Sequence, residues 1–528
     1  MVAKFTDDPN RPTCQACNYP MMFQGAKTEG GKRRYRCGKC GTSTAKTKTE
    51  QNESLKGYCE DMAAENAVSL KKSLADGCSR LIVTCACNNT AVVTGFLLAL
   101  EAAAKDKNAE LIVIPISYKN ISLYTGGEEY KKWWDSSLDK YLIDTEIKAK
   151  GIIIDGDTSI QATAADPLSG FHDLGGRTWR VIGHPQLAME PVAMPGNMMP
   201  KRVFTTGAVT KKNYSRTKAG KKAEFHHTHG ALMIELGGKY PFVRQLNFDQ
   251  ISGGFYDLDV FYSRSGKVTR KNRIAGLSTG DEHIKFFDKK VRKATYDDND
   301  SIAKTLRPRY LIRQDIFDGY SITHHHLRSP LKQYEKHSTG NDVARVELDQ
   351  VVEFLDATTP PDAINVIVSS NHHDHLDLWL DRADAKTDHV NSHLILEMQK
   401  AQREAIDNGE NPNALRLYLI PRVKSKIIFL DRNSPFFLTA RGADYAQHGD
   451  VGVNGSRGSA RGLSRSALKM TIGHSHGARI VRGVYQNGTS AGRLEYERGL
   501  SDHTNTHSIE YENGKRTLID IIAGKWRR

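Results

Sequence analysis

The chain has 528 residues, of which 39% are apolar and 26% charged. That length accommodates two to four domains at roughly 100–200 residues each, and a core of that size needs no disulfide framework. The composition excludes a disordered, collagenous or small secreted protein. Lys and Arg outnumber Asp and Glu to give a net charge of +14 and a pI near 9.2, which points to a polyanionic partner, most simply nucleic acid. No apolar run approaches the ~20 residues that span a bilayer, and Met1 to Cys14 lacks a signal-peptide core. A soluble, intracellular protein with no membrane partner is expected.

In chain order, the first signal is cysteine spacing. Cys14-Gln-Ala-Cys17 and Cys37-Gly-Lys-Cys40 form a paired CxxC pattern with the separation of a zinc site. Two tight turns presenting four thiolates close a tetrahedral structural centre. A zinc ribbon over residues 1–48 is expected, with its basic strand Lys32–Arg36 free to meet phosphates. The other four cysteines, Cys59, Cys78, Cys85 and Cys87, lack such spacing and read as buried thiols.

Residues 45–53 read as a polar linker, and a helical pattern runs from about Leu55 to Leu74. Arg80–Cys87, Glu110–Ser117 and Gly151–Asp155 read as buried strands, with an apolar helix over Val92–Lys105. Alternation of this kind predicts a parallel α/β layer. From Thr178 to Tyr262 the runs shorten and turn signals multiply, so mostly strand is expected. Residues 49–272 thus form an α/β middle domain whose role the sequence does not reveal. Gly156-Asp157 and the His226-His227-Thr228-His229 cluster, read as strand-borne, have no partners at usable spacing nearby.

The strongest chemistry lies in residues 273–528. Five short motifs occur in one order: Asp281-Glu-His283, Asp315-Ile-Phe-Asp318, Asn371-His372, His448-Gly449 and Gly473-His474-Ser475-His476. Apolar runs precede most of them, so the polar residues fall where strands end, the usual place for a site in an open α/β sheet. Two Asp, one Asn and four His make a thiolate-free donor set suited to Mn²⁺, Fe or Zn²⁺. Two ions bridged by a carboxylate generate a hydroxide and clamp an in-line phosphoryl displacement.

These motifs, in this order, resemble the calcineurin-like metallophosphoesterase superfamily. The resemblance implies a four-layer αββα sandwich over 273–528. It implies one metal held by Asp281, His283, Asp315 and His476, and a second held by Asp315, Asn371, His448 and His474, with Asp315 bridging. It makes His372 the catalytic residue that protonates the leaving oxygen or stabilises the phosphorus in the transition state. Three positions depart from the pattern: Gln314 and Ser370 stand where glycine is usual, and His373 where Asp or Glu is usual. Asp374 is a candidate to orient His372. Thr323-His324-His325-His326 and the Gly/Ser-rich loop carrying Arg457, Arg461 and Arg465 are candidate substrate contacts, since imidazole and guanidinium groups suit a phosphodiester track.

Within the superfamily, the basic chain, the zinc ribbon and the Asp315-Ile-Phe-Asp318 motif favour a DNA nuclease like its double-strand-break-repair members. The whole arrangement, including Arg80-Leu-Ile-Val-Thr-Cys-Ala-Cys87 and Ala223-Glu-Phe-His-His227, is similar to phage-encoded DNases of the first-step-transfer type. That likeness implies degradation of host DNA in the bacterial cytoplasm, a Mn²⁺ preference and a homo-oligomer. Two other readings compete: a phosphomonoesterase or nucleotide phosphodiesterase of the same fold, and a DNA-binding regulator with an inactive metal fold.

Overall fold

A computed structural model describes residues 12, 21–27, 33–37, 43–44, 60–117 and 132–528, apart from 175, 197, 327, 493, 495 and 496. The fold is mixed α/β, with its strands distributed over several sheets. Near the N-terminus, Met21–Lys27, Arg33–Cys37 and Ser43–Thr44 form a small antiparallel sheet. The expected zinc site lies outside the described residues, which omit Cys14, Cys17, Cys40 and the side chain of Cys37.

Arg80–Cys87 and Glu110–Ile116 pair in parallel over seven residues, joined by the helix Thr94–Lys107. Their hydrophobic runs are continuous because both faces are covered. One face shares a core with Trp179 and Phe204, and the other packs Ile82 and Val113 against Phe96 and Leu100 of the helix. The strands Gly230–Glu235 and Phe242–Asn247 complete this four-stranded sheet by antiparallel pairing.

The third predicted strand, Ile152–Asp155, belongs to a different sheet. That sheet has eight strands and takes Glu146–Ala149, Ile152–Asp155, Trp179–Ile182, Met189–Val192 and Lys201–Thr205 from one part of the chain. It takes Met470–Ile472, Arg479–Val481 and Val484–Gln486 from another, joined through a single pairing of Ile480 with Met189. Strands on both sides of residue 272 thus share one sheet.

The first expected helix is present over Glu60–Ala75, and residues 55–59 fall outside the described set. One further expectation needs correction. Lys218–His226, read as strand, is a helix capped by the Thr217 hydroxyl, which accepts from the Gly220 N–H. Ala223 to His226 therefore lie on a helix, and His227 ends it.

The six-stranded sheet carries the site. Its order is Ile427–Phe429, Ile364–Ile367, Tyr310–Arg313, Gly276–Ser278, Thr506–Glu510 and Arg516–Asp520. The first four run parallel and the last two antiparallel. One face buries Leu277, Leu311, Ile509 and Ile519 against Tyr296 and Phe354. The other buries Ile312 and Val366 against Ala443 and Tyr445. The helices Ala344–Thr358, Asn371–Arg382 and Ser392–Asp407 share a further core with Ile316, Phe317 and Ile367. Among the described residues no helix is long and apolar enough to cross a membrane.

Candidate metal centre

Three of the four parallel strands of this sheet deliver site residues just beyond their carboxyl ends. Asp281 and His283 follow Gly276–Ser278, Asp315 and Asp318 follow Tyr310–Arg313, and Asn371 and His372 follow Ile364–Ile367. Gly473, His474 and His476 follow Met470–Ile472 of the eight-stranded sheet, and the His448 carbonyl accepts from the Gly473 N–H at 2.7 Å. Side chains from distant stretches of sequence thereby meet in one buried place.

Two overlapping groups of donor atoms result. One comprises Asp281, His283 and His476, the other Asp281, Asp315 and His448, and both are buried. His476 Nε2 lies 3.1 Å from Asp281 Oδ2 and 3.2 Å from His283 Nε2. His448 Nε2 lies 3.0 Å from Asp315 Oδ2, which is itself 3.9 Å from His283 Nε2. Asp281 is thus the carboxylate common to both groups, while Asp315 reaches toward a histidine of each. His474 joins through its main chain, its N–H donating to Asp281 Oδ2 at 2.7 Å, and its ring centroid is 5.4 Å from that of His448. Asn371 opens the helix Asn371–Arg382, whose start is capped by Ser370.

Among the described residues, three oxygen atoms in this set are buried without a hydrogen-bond partner, Asp281 Oδ1, Asp315 Oδ1 and Asn371 Oδ1, while His448 Nε2 has Asp315 Oδ2 beside it at 3.0 Å. An unsatisfied buried polar atom is costly and rare. Three within one set of oxygen and nitrogen donors fit a site built for cations, which buried carboxylates otherwise need as partners. The backbone agrees. His283, Asp315, His474 and His476 all adopt positive φ, at 37°, 45°, 72° and 54°. Non-glycine residues pay of order 1–3 kcal/mol for such conformations, which concentrate at functional sites. Gly473 is required by close approach, since a Cβ there would meet Asp281 Oδ1 at 2.1 Å.

A layer of acceptors fixes the imidazoles. His283 Nδ1–H donates to Asp318 Oδ1 at 2.8 Å, and His448 Nδ1–H donates to Gln314 Oε1 at 2.8 Å. Each bond leaves Nε2 facing the other donors, the orientation a metal-ligating histidine takes. Burial disfavours charge on His448, but Asp315 and Asp281 outweigh it and carry its pKa up to about 9. Burial likewise opposes ionisation of Asp315, yet His448 holds its carboxyl well below the ordinary range. Behind the first loop, the buried Arg313 guanidinium donates to Glu282 at 3.0 Å and to Asn365 Oδ1 at 2.7 Å. Glu282 also accepts from the Tyr296 hydroxyl at 2.6 Å, so the residue between Asp281 and His283 is anchored from below.

His372 stands beside this centre, its ring centroid 4.8 Å from that of His283. Its Nδ1–H donates to the Asp318 main-chain carbonyl at 2.9 Å, leaving Nε2 available. Asp374 does not orient it; that carboxylate pairs with Arg432 at 3.0 Å. His373 turns inward, where its Nε2 accepts from the Ile316 N–H at 3.1 Å and braces the loop after Asp315.

The remaining candidates are scattered. His324–His326 form a 3₁₀ turn, with His324 and His325 exposed and the His326 ring 5.4 Å from that of Tyr320. Arg461 pairs with Asp166 at 3.0 Å and with Glu190 at 2.8 Å, while Arg457 and Arg465 are exposed. In the middle region, His227 is held by the Tyr214 hydroxyl at 2.8 Å and the Thr210 carbonyl at 3.2 Å.

Sequence reasoning passed over Asp318, Gln314, Glu282 and Arg313. Asp318 already stood in a motif. Gln314 stood out only as a departure, and its meaning lies in the acceptor it offers His448. It also passed over His503, whose Nδ1 is 2.8 Å from Glu497 Oε1 and whose ring is 4.8 Å from that of His476.

No protein-family model matches the chain, and no solved structure matches it. The chain is similar to Protein A1 of Escherichia phage T5, with 32% identity over 463 residues, covering 85% of this chain and 82% of that protein. The chain belongs to the family of T5 Protein A1. The aligned length is long enough that the match to Protein A1 extends over most of both proteins rather than one module. Within this Protein A1 family member, the buried His and Asp clusters can hold metal ions.

Proposed function

We propose that the protein is a two-metal-dependent DNA nuclease of the calcineurin-like metallophosphoesterase type, hydrolysing phosphodiester bonds of host DNA during phage infection. The observation that carries this reading is the set of three partnerless buried oxygens on Asp281, Asp315 and Asn371, gathered with the His448 imidazole. They fall in the first three of the five ordered motifs, and a resident pair of divalent cations would account for all three. One ion would be held by Asp281, His283, Asp315 and His476, the other by Asp315, Asn371, His448 and His474, with Mn²⁺ the favoured metal. When bound, such a pair supplies a nucleophile at neutral pH and neutralises charge on the phosphoryl oxygens.

The chain's own residues do the rest. Asp318 accepts from His283 through its carboxylate and from His372 through its carbonyl. One residue therefore fixes a ligand and the neighbouring acid in a common frame. With Nδ1–H engaged by Asp318, the His372 ring presents Nε2 to an oxygen leaving phosphorus, where it delivers or shares a proton. A net charge of +14 attracts a polyanion and raises its encounter rate. Membership of a phage protein family supports a role during infection.

The test is cleavage of linear and closed-circular double-stranded DNA with Mn²⁺, against EDTA and His372→Ala controls. The expected result is Mn²⁺-dependent loss of DNA that EDTA abolishes. His372→Ala should slow it by about 10²–10⁴-fold, the contribution typical of a positioned acid, while metal content stays unchanged. Rapid hydrolysis of small phosphate esters with no cleavage of either DNA would sink the nuclease reading in favour of a nucleotide phosphodiesterase.

A further inference from the structure

A file of imidazole rings leads from the buried centre to the surface. The His283 and His372 centroids are 4.8 Å apart, His372 and His375 5.3 Å, His375 and His324 5.4 Å, and His324 and His325 3.9 Å. The file begins at a buried ring and ends at two exposed ones. Among the described residues His375 Nδ1 is buried without a hydrogen-bond partner, which leaves that nitrogen open to a further one. His372, His375 and Arg382 recur at spacings of three and seven along the helix Asn371–Arg382, which puts them on one face. Two carboxylates of that helix are engaged elsewhere: Asp374 with Arg432, and Asp377 with Asn413 and the Ala414 N–H.

We infer that His375, His324, His325 and Arg382 form a binding track for the phosphodiester backbone on the leaving-group side of the scissile bond. The inference rests on the nuclease reading above and deepens it. His372 to Arg382 spans about 15 Å at 1.5 Å per helical residue. One strand of B-form DNA carries about four phosphates over that distance. Imidazole N–H groups and a guanidinium are donors matched to phosphate oxygens, and the track is contiguous with the residue that faces the leaving oxygen. The His324–His326 triplet is therefore divided in role: His326 packs toward Tyr320, and His375, not adjacent in sequence, takes its place.

Binding of a short fluorescein-labelled oligonucleotide, followed by anisotropy in EDTA, tests the track. His324 and His325 are exposed, so the double variant His324→Ala/His325→Ala should keep its circular-dichroism spectrum. Its affinity should fall about 10-fold at low salt, where phosphate contacts weigh most. The pair His324→Lys/His325→Lys, which supplies N–H donors without rings, should recover most of it. Unaltered affinity of the Ala pair overturns the inference. Recovery by His324→Phe/His325→Phe but not by the Lys pair also overturns it, since that would make the rings a stacking surface for bases. Failure of the nuclease reading is separately visible: the wild-type protein would then leave the oligonucleotide uncleaved with Mn²⁺, whether or not it hydrolyses bis(p-nitrophenyl) phosphate and whatever the variants bind.

Discussion

At the scale of single residues, the centre depends as much on what stands behind the donors as on the donors themselves. Gln314 shows this most clearly. Its Oε1 is the acceptor for His448 Nδ1–H at 2.8 Å, and without it the ring would be free to turn or to present the wrong nitrogen. Removing an outer partner of a metal-bound histidine typically costs 10–100-fold in affinity or activity. Gln314→Ala should therefore weaken Mn²⁺ binding by about 10–100-fold, read by competition with a chromogenic chelator. Gln314→Glu, which keeps the acceptor, should bind close to wild type. Equal affinity in the Ala variant would mean that Asp315 alone orients His448.

At the scale of elements, the architecture relies on side chains that tie one sheet to another. Arg202, in the strand Lys201–Thr205 of the eight-stranded sheet, pairs with Asp520 at the end of the six-stranded sheet's last strand. Both are buried, and Arg202 also donates to Thr506 Oγ1 at 3.1 Å. Leaving one buried charge uncompensated costs about 3–5 kcal/mol, while replacing both partners by packed apolar groups is often neutral. Asp520→Ala should thus lower unfolding stability by about 3–5 kcal/mol, and Arg202→Met/Asp520→Leu should recover most of that loss in urea titration. A double variant no better than the single would show that the Thr506 contact dominates. Such ties were not legible in the sequence, because the partners are separated by hundreds of residues. The same distance hid the eight-stranded sheet, whose strands Arg479–Val481 and Met189–Val192 meet at one residue pair. Strands with continuous apolar runs, Arg80–Cys87 and Glu110–Ile116, were legible, as was the helix between them. Lys218–His226 was not: nine residues, with only Ala219, Ala223 and Phe225 apolar, are too short and polar to stand out among the strand runs around them. The donors were legible because short motifs carry their own chemistry. The acceptors behind them were not, since Gln314, Glu282 and Arg313 acquire meaning only from what the fold sets against them.

At the scale of the whole molecule, acid should be a strong destabilising condition, and the reason lies in three buried imidazoles that serve as acceptors. His507 Nδ1 accepts from the Gly280 N–H at 2.9 Å, immediately before Asp281. His373 Nε2 accepts from the Ile316 N–H at 3.1 Å, immediately after Asp315. His184 Nδ1 accepts from the Gln186 N–H at 3.0 Å beneath the eight-stranded sheet. An imidazole accepts only when that nitrogen is unprotonated. Burial pushes the pKa of His507 and His373 down to about 3, and that of His184 to about 4. In the unfolded chain each returns to about 6.5. Below that value the unfolded state takes up protons the folded state cannot, so the contribution of these three rings is full above about pH 6.5 and is lost progressively toward pH 4. Each group contributes about 1.4 kcal/mol per pH unit within that window. His448, raised to about 9, and His283, raised to about 8, remain charged throughout the window and add no slope there. The measurement is urea unfolding of the metal-free protein in EDTA at pH 6.5, 6 and 5, so that neither loss of metal nor the titration of His448 and His283 enters. The midpoint should drop steeply below pH 6.5, and His184→Gln, whose side-chain carbonyl can accept without titrating, should flatten the drop by about one group's share. A midpoint constant from pH 6.5 to pH 5 would show that these three rings take up protons without giving up their acceptor bonds. The loops that present Asp281 and Asp315 would then have to be held by the backbone alone.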